Sequence, residues 1–247
     1  EIDELNLKTI WRDFWGYFLR PPELAARPGR PMPVRFNLRR VYLHDIPTLI
    51  KVQWLPMMVV LITLTVSVIL GGYYATIYPL PSGTIQLDTL PADTFKNLPS
   101  VGFLPRFSTS GIFFNNVRSL SLAALLGVFS FGVLSLVLLM IPLALVGFFT
   151  VEVGILGYSP WLFVTAFILP HGIIELPAAI IGTTFALRIG AALVSPPAGF
   201  DVGQGFLLVL ADFCKIFLLL VIPLLLIAAF VEANLTPQIV LALYSHG

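Results

Sequence analysis

His171 and Glu175 stand four positions apart in "FVTAFILPHGIIELPAAIIG", residues 163 to 182, so on a helix beginning near Pro170 an imidazole and a carboxyl project from one face and can hydrogen-bond each other. The residues around them are apolar enough to lie in lipid, where ionisable groups are costly and turn toward a helix interface or a wet cavity. Three uses are open to such a pair: hydrogen bonds that fix helix packing, a proton or ion relay, and a contact for a partner. Asp212 and Lys215, at i and i+3 in the last apolar run, form a second polar pair. An ammonium at that depth is expected to pair with Asp212 on its own helix or with Glu175 across the bundle. His171, Glu175, Asp212 and Lys215 are therefore the candidate intramembrane polar site.

Enzymatic chemistry has little to stand on. The chain contains no His-Glu-x-x-His pair, no Gly-x-Ser-x-Gly elbow, no phosphate-cradling Gly-rich loop ending in Lys, and no Cys/His cluster. His171 and Glu175 offer only two metal ligands, and the other histidines, His44 and His246, fall outside the apolar runs. No catalytic residue, metal or cofactor is expected, and the chain reads as a non-enzyme. Cys214 is alone, so no disulfide forms within the chain, and it reads as a small buried hydrophobe.

These residues must be positioned by membrane helices. Hydrophobic residues make up 57% of the chain and charged ones 11%, a composition that excludes an ordinary soluble domain. A net charge of +1 gives no basic field for nucleic acid. The chain opens on Glu1 rather than methionine, which points to sequence upstream of it.

Residues 1 to 51 read as an amphipathic helix followed by a basic, Pro-rich connector, and residues 52 to 247 as one transmembrane domain. In "LNLKTIWRDFWGYFLR", residues 5 to 20, Trp11, Phe14, Trp15 and Phe18 recur at helical spacing with basic residues elsewhere, so this helix is expected to lie in the membrane interface. The connector ends in Arg35, Arg39 and Arg40, and nine of the fourteen Lys and Arg precede Val52. By the positive-inside rule the N-terminus is cytoplasmic.

The first span is expected at about residues 52 to 78, followed by an extracytoplasmic loop at about 79 to 116 whose aromatics, Phe95, Phe103, Phe107, Phe113 and Phe114, suit folding over the bundle. Residues 118 to 157 are too long for one crossing, and Pro142 and Gly147 are the expected break points. Residues 161 to 194 pose the same problem, with Pro170 and Gly172 in the middle. A last span runs from about Phe206 to Val231. The fold class is thus all-α: a polytopic transmembrane bundle of five or six segments, some broken or re-entrant, plus the interfacial helix. Ala178, Gly182, Ala186 and Gly190 continue the face of His171 and Glu175 as a small-residue stripe that admits a close helix neighbour. Asn115, Asn116, Arg118, Glu152 and Glu232 fall at expected segment ends, where anchoring or capping explains them.

"LPHGIIELPAAIIGTTFALRIG", residues 169 to 190, resembles the signature of the stage II sporulation protein M family of multi-pass prokaryotic membrane proteins. "FFNNVRSLSLAALLGVFSFG", residues 113 to 132, and "VEANLTP", residues 231 to 237, are similar to further parts of it, which extends the resemblance over residues 113 to 237. It implies that Asn116, Pro170, His171, Gly172, Glu175, Glu232 and Pro237 are family positions. It also implies a scaffold of the cytoplasmic membrane, since the best-known member recruits peptidoglycan-remodelling enzymes during engulfment. The family's Asn-Gly near the end of the second apolar block is replaced here by "LALVGFF". The N-terminal part instead looks like the entry of ABC-type exporter membrane subunits. The expected function is a scaffold that organises membrane or envelope proteins within the bilayer, self-association being open. The alternative is a transporter subunit coupled to a cytoplasmic ATPase, with Glu175 and Lys215 lining its path.

Overall fold

The computed structural model describes residues 7–22, 37–87 and 107–244, and no strand occurs among them. Five helices are long and apolar enough to cross a membrane. In chain order, α1 is the amphipathic Leu7–Leu19, and α2 runs through Leu38–Arg40, a π-helical turn at Val41–Asp45, and Ile46–Val52. The crossing helices are α3 Trp54–Ile77, α4 Thr109–Phe129, α5 Val133–Ile155, α6 Pro160–Ala192 and α7 Val202–Tyr244. The expected all-α polytopic bundle is the fold.

The loop before α4 is shorter than expected. Ser108 caps α4, its Oγ accepting from the Gly111 N–H at 3.1 Å, so Asn115, Asn116 and Arg118 sit inside a helix and not at a segment end. Phe95, Phe103, Arg35 and His246 lie outside the described residues.

The apolar blocks break elsewhere than at their prolines. Between α4 and α5 the chain reverses at Ser130–Gly132, where Phe131 and Gly132 take φ of 52° and 95° and the Gly132 N–H returns to the Gly127 carbonyl at 2.7 Å. Pro142 and Gly147, the expected breaks, both lie within α5. Pro170 and Gly172 likewise do not interrupt α6, which is one continuous crossing and not a re-entrant hairpin.

At Pro170 the reason is a device that recurs in the chain, although α5 carries no such turn at Pro142. Each of the four π turns among the described residues, Val41–Asp45, Val164–Ile168, Phe217–Val221 and Val231–Leu235, ends two residues before a proline, namely Pro47, Pro170, Pro223 and Pro237. Proline lacks the N–H for the carbonyl four residues back, and its ring collides with that carbonyl in a regular helix. Widening one turn removes the collision without ending the helix, which in lipid would expose backbone groups to solvent that cannot bond them. The carbonyl released by Pro223 is that of Leu219, and the Tyr42 hydroxyl donates to it at 2.6 Å.

Glycines set the closest helix contact. α3 and α5 run parallel, and a methyl built on Gly71 would overlap the Ala144 carbonyl, while one on Gly147 would overlap that of Val68. Ser67 reinforces the seam by donating to the Met140 carbonyl. On α6, Ala178, Gly182, Ala186 and Gly190 are all buried, so the small-residue stripe does its packing within the chain. Gly190 meets the turn at Gly127 and Gly132.

Candidate functional site

Polar side chains from three helices converge where α4, α6 and α7 meet. On α6, His171 and Glu175 are adjacent as their spacing requires, with Nε2 to Oε2 at 4.0 Å, beyond hydrogen-bond reach. From α4, the Asn116 amide donates to Glu175 Oε1 at 2.9 Å. From α7, the π turn Val231–Leu235 brings Glu232 to the same place, so that one ligand atom each from His171, Glu175 and Glu232 lies within 4.8 Å of the others. Thr236, one turn on, puts its hydroxyl 3.4 Å from His171 Nδ1 and also 3.4 Å from the Val231 carbonyl.

Two expectations are corrected here. Glu232 is not an interfacial anchor or a cap, because the wide turn before Pro237 turns it into the bundle. His171 and Glu175 are not limited to two potential metal ligands, since a third arrives from another helix. All three are only partly buried, with 18% of the His171 side chain and 29% of Glu175 accessible. Among the described residues, neither glutamate forms an ion pair with a lysine or arginine.

Asp212 and Lys215 belong to a different place. Lys215 is 1% exposed, and its ammonium donates to the Arg20 carbonyl at 2.9 Å instead of bonding Asp212 or Glu175. Arg40 donates to the Leu19 carbonyl at 2.8 Å, so two cations cap the C-terminus of α1, where the helix dipole favours positive charge. Asp212 and Asp45 lie close enough to act electrostatically on Lys215, and Arg188 on Asp212, while the fully buried Asp45 pairs with Arg40 at 3.4 Å and lies 3.6 Å from His44 Nδ1. Arg188 is about 20 Å further along α6 than Glu175 at 1.5 Å per residue. The single polar site expected from sequence is therefore two clusters toward opposite ends of the bundle.

The remaining site residues divide similarly. Phe18 is buried and Phe14 packs beside it, against Phe200, Leu208 and Ala211, whereas Trp11 and Trp15 stay exposed. Only half of the apolar face of α1 is thus free for lipid. Gly172 has room for a methyl, with Ile168 Cγ2 at 3.6 Å. Pro170 and Pro237 act through their π turns. Glu152, expected as an interfacial anchor, is fully buried and accepts from the Leu80 N–H at 2.9 Å, holding the chain that leaves α3. An acid near the end of an apolar run is its only sequence signal.

A family model described as Stage II sporulation protein M matches residues 59–237, a longer stretch than the motifs alone suggested. No curated protein and no solved structure matches the chain.

Proposed function

The chain belongs to the stage II sporulation protein M family, and from that premise we propose that it is a non-enzymatic assembly protein of the prokaryotic cytoplasmic membrane, holding other membrane or envelope proteins. The N-terminus faces the cytoplasm in this reading, so the crossings place the cluster of His171, Glu175 and Glu232 toward the outer side. The cluster at Asp212 and Lys215 then docks α1 at the inner face.

One observation carries the preference for a static role. Between Glu175 and Arg188, α6 buries Ala178, Thr183, Phe185 and Ala186, each at most 2% exposed, against its neighbours. A relay joining the two polar clusters would have to cross this close-packed layer. The polar groups bind helices to one another in this reading, and the exposed apolar faces of α3, such as Ile62, Ile69 and Tyr73, meet lipid or a partner helix.

The test is gentle detergent extraction of the tagged protein and mass spectrometry of whatever co-purifies in stoichiometric amount. Envelope hydrolases or other membrane proteins support assembly. A cytoplasmic ATPase overturns it in favour of a transporter subunit, for which the α1 and α2 face is the coupling surface.

A further inference from the structure

We propose that His171, Glu175 and Glu232 bind a divalent transition-metal ion of the zinc class, oriented by Asn116 and Thr236. This goes beyond the assembly role and does not depend on it.

Three ligand atoms within 4.8 Å of one another lead there, and one hydrogen-bond arrangement around His171 suits them. Thr236 has one hydroxyl proton, and within its reach are the Val231 carbonyl, which can only accept, and His171 Nδ1. When that proton points to Val231, whose carbonyl also takes the Thr236 N–H, the hydroxyl is free to accept from Nδ1–H. The imidazole is then the Nδ1–H tautomer, and the Nε2 lone pair faces the Glu175 carboxylate at 4.0 Å. Two acceptors facing each other across that gap repel unless a proton or a metal ion lies between them, and the gap is wide enough for the metal. Glu232 adds a second carboxylate to the same spot.

The surroundings match what metal sites need. A ligating histidine donates its other ring N–H to an oxygen, for which the Thr236 hydroxyl stands 3.4 Å from Nδ1, and ligating carboxylates are themselves hydrogen-bonded, as Glu175 is by Asn116. One nitrogen and two carboxylate oxygens suit zinc, iron(II) or manganese(II) better than calcium, whose sites are built of oxygen alone. Zinc–ligand bonds of about 2.0–2.2 Å need the donor atoms closer together than they stand, a shift within reach of carboxylate side-chain torsions. With three protein ligands, a fourth position is left for water or the Asn116 carbonyl oxygen. Partial exposure provides a way in. The ion would join α6 to α7 through its ligands and engage α4 through Asn116.

The experiment uses the full chain carrying a tag without histidine, purified in detergent. Metal content is measured after loading with zinc and desalting, and the visible spectrum is recorded with cobalt(II) as a probe. The expected result is about one zinc per chain and cobalt absorption bands of low coordination number, both lost in the double variant His171→Ala, Glu232→Gln. Thr236→Val, which keeps all three ligands, should weaken binding roughly tenfold or more. Asp212→Asn, in the other cluster, should leave binding unchanged. Absence of stoichiometric zinc and of cobalt bands in the unaltered protein overturns the proposal, as does full retention of metal by the double variant. Neither depends on how the variants fold or on which partners co-purify.

Discussion

Asn116 of α4 and Glu175 of α6, 59 residues apart in the chain, are joined by a 2.9 Å hydrogen bond from amide to carboxylate. The bond holds one Glu175 oxygen, and with it the direction the other faces. Replacing Asn116 with Leu keeps the volume and removes the donor. The expected loss is about 1–3 kcal/mol, the cost of a half-buried carboxylate left short of a partner. Thermal unfolding in detergent should show a lower midpoint for Asn116→Leu, and an unchanged midpoint would mean that water replaces the amide.

The α3 and α5 seam predicts an ordering among glycine variants. Gly71→Ala and Gly147→Ala force a methyl into a backbone carbonyl of the facing helix, so both should reduce the yield of folded protein sharply. Gly172→Ala meets only ordinary van der Waals contact and should fold normally although Gly172 belongs to the family motif. Size-exclusion profiles of the three variants decide this, and aggregation of Gly172→Ala alone would reverse the assignment.

Lys215 should be the most sensitive charge. Lys215→Met leaves the α1 carbonyl of Arg20 and the acids around it without their ammonium, at an expected cost of about 3–5 kcal/mol. Adding Asp212→Asn to that variant should recover part of the loss, because it removes an acid that the ammonium no longer balances. Chemical denaturation of the two variants in mild detergent measures both, and equal stability of the single and double variants would show that Asp212 is balanced by Arg188 alone.

The two faces of α1 predict different phenotypes. Trp11→Ser with Trp15→Ser should leave the bundle stable, and in a Trp54→Phe, Trp161→Phe background the retained Trp11 and Trp15 should be quenched by bromine-labelled lipid, whereas unquenched emission would mean that this face does not meet the bilayer. Phe18→Ala should instead release α1 from Phe200 and Leu208, read as rapid proteolysis before residue 37.

Much of the local architecture is written in local pattern. The apolar runs specify spanning helices because lipid demands about 20 apolar residues whatever the neighbours. The spacing of Trp11, Phe14, Trp15 and Phe18 specifies α1, and four residues of separation suffice to place His171 beside Glu175. Even the reversal at Ser130–Gly132 has a local signal, a glycine within the apolar run that takes the left-handed conformation of the turn. Pro170 does not end its helix because in lipid a broken helix leaves freed carbonyls with no water to receive them, and a widened turn satisfies the backbone more cheaply.

Three things were decided only when the helices packed. Glu232 joins His171 and Glu175 because a π turn rotates it toward α6, and no periodicity relates residues on separate helices. Lys215 bonds the end of α1 and not Asp212, because a buried ammonium takes whichever acceptors the assembled surface presents, here the unpaired carbonyl at a helix terminus. The polar residues form two clusters because the length of α6 separates them, and sequence spacing alone does not show which side of another helix each will meet. Sequence by itself therefore determined that this is a membrane bundle and which residues are costly to bury; tertiary structure decided which of them meet, since contacts between helices depend on their relative rotation and register.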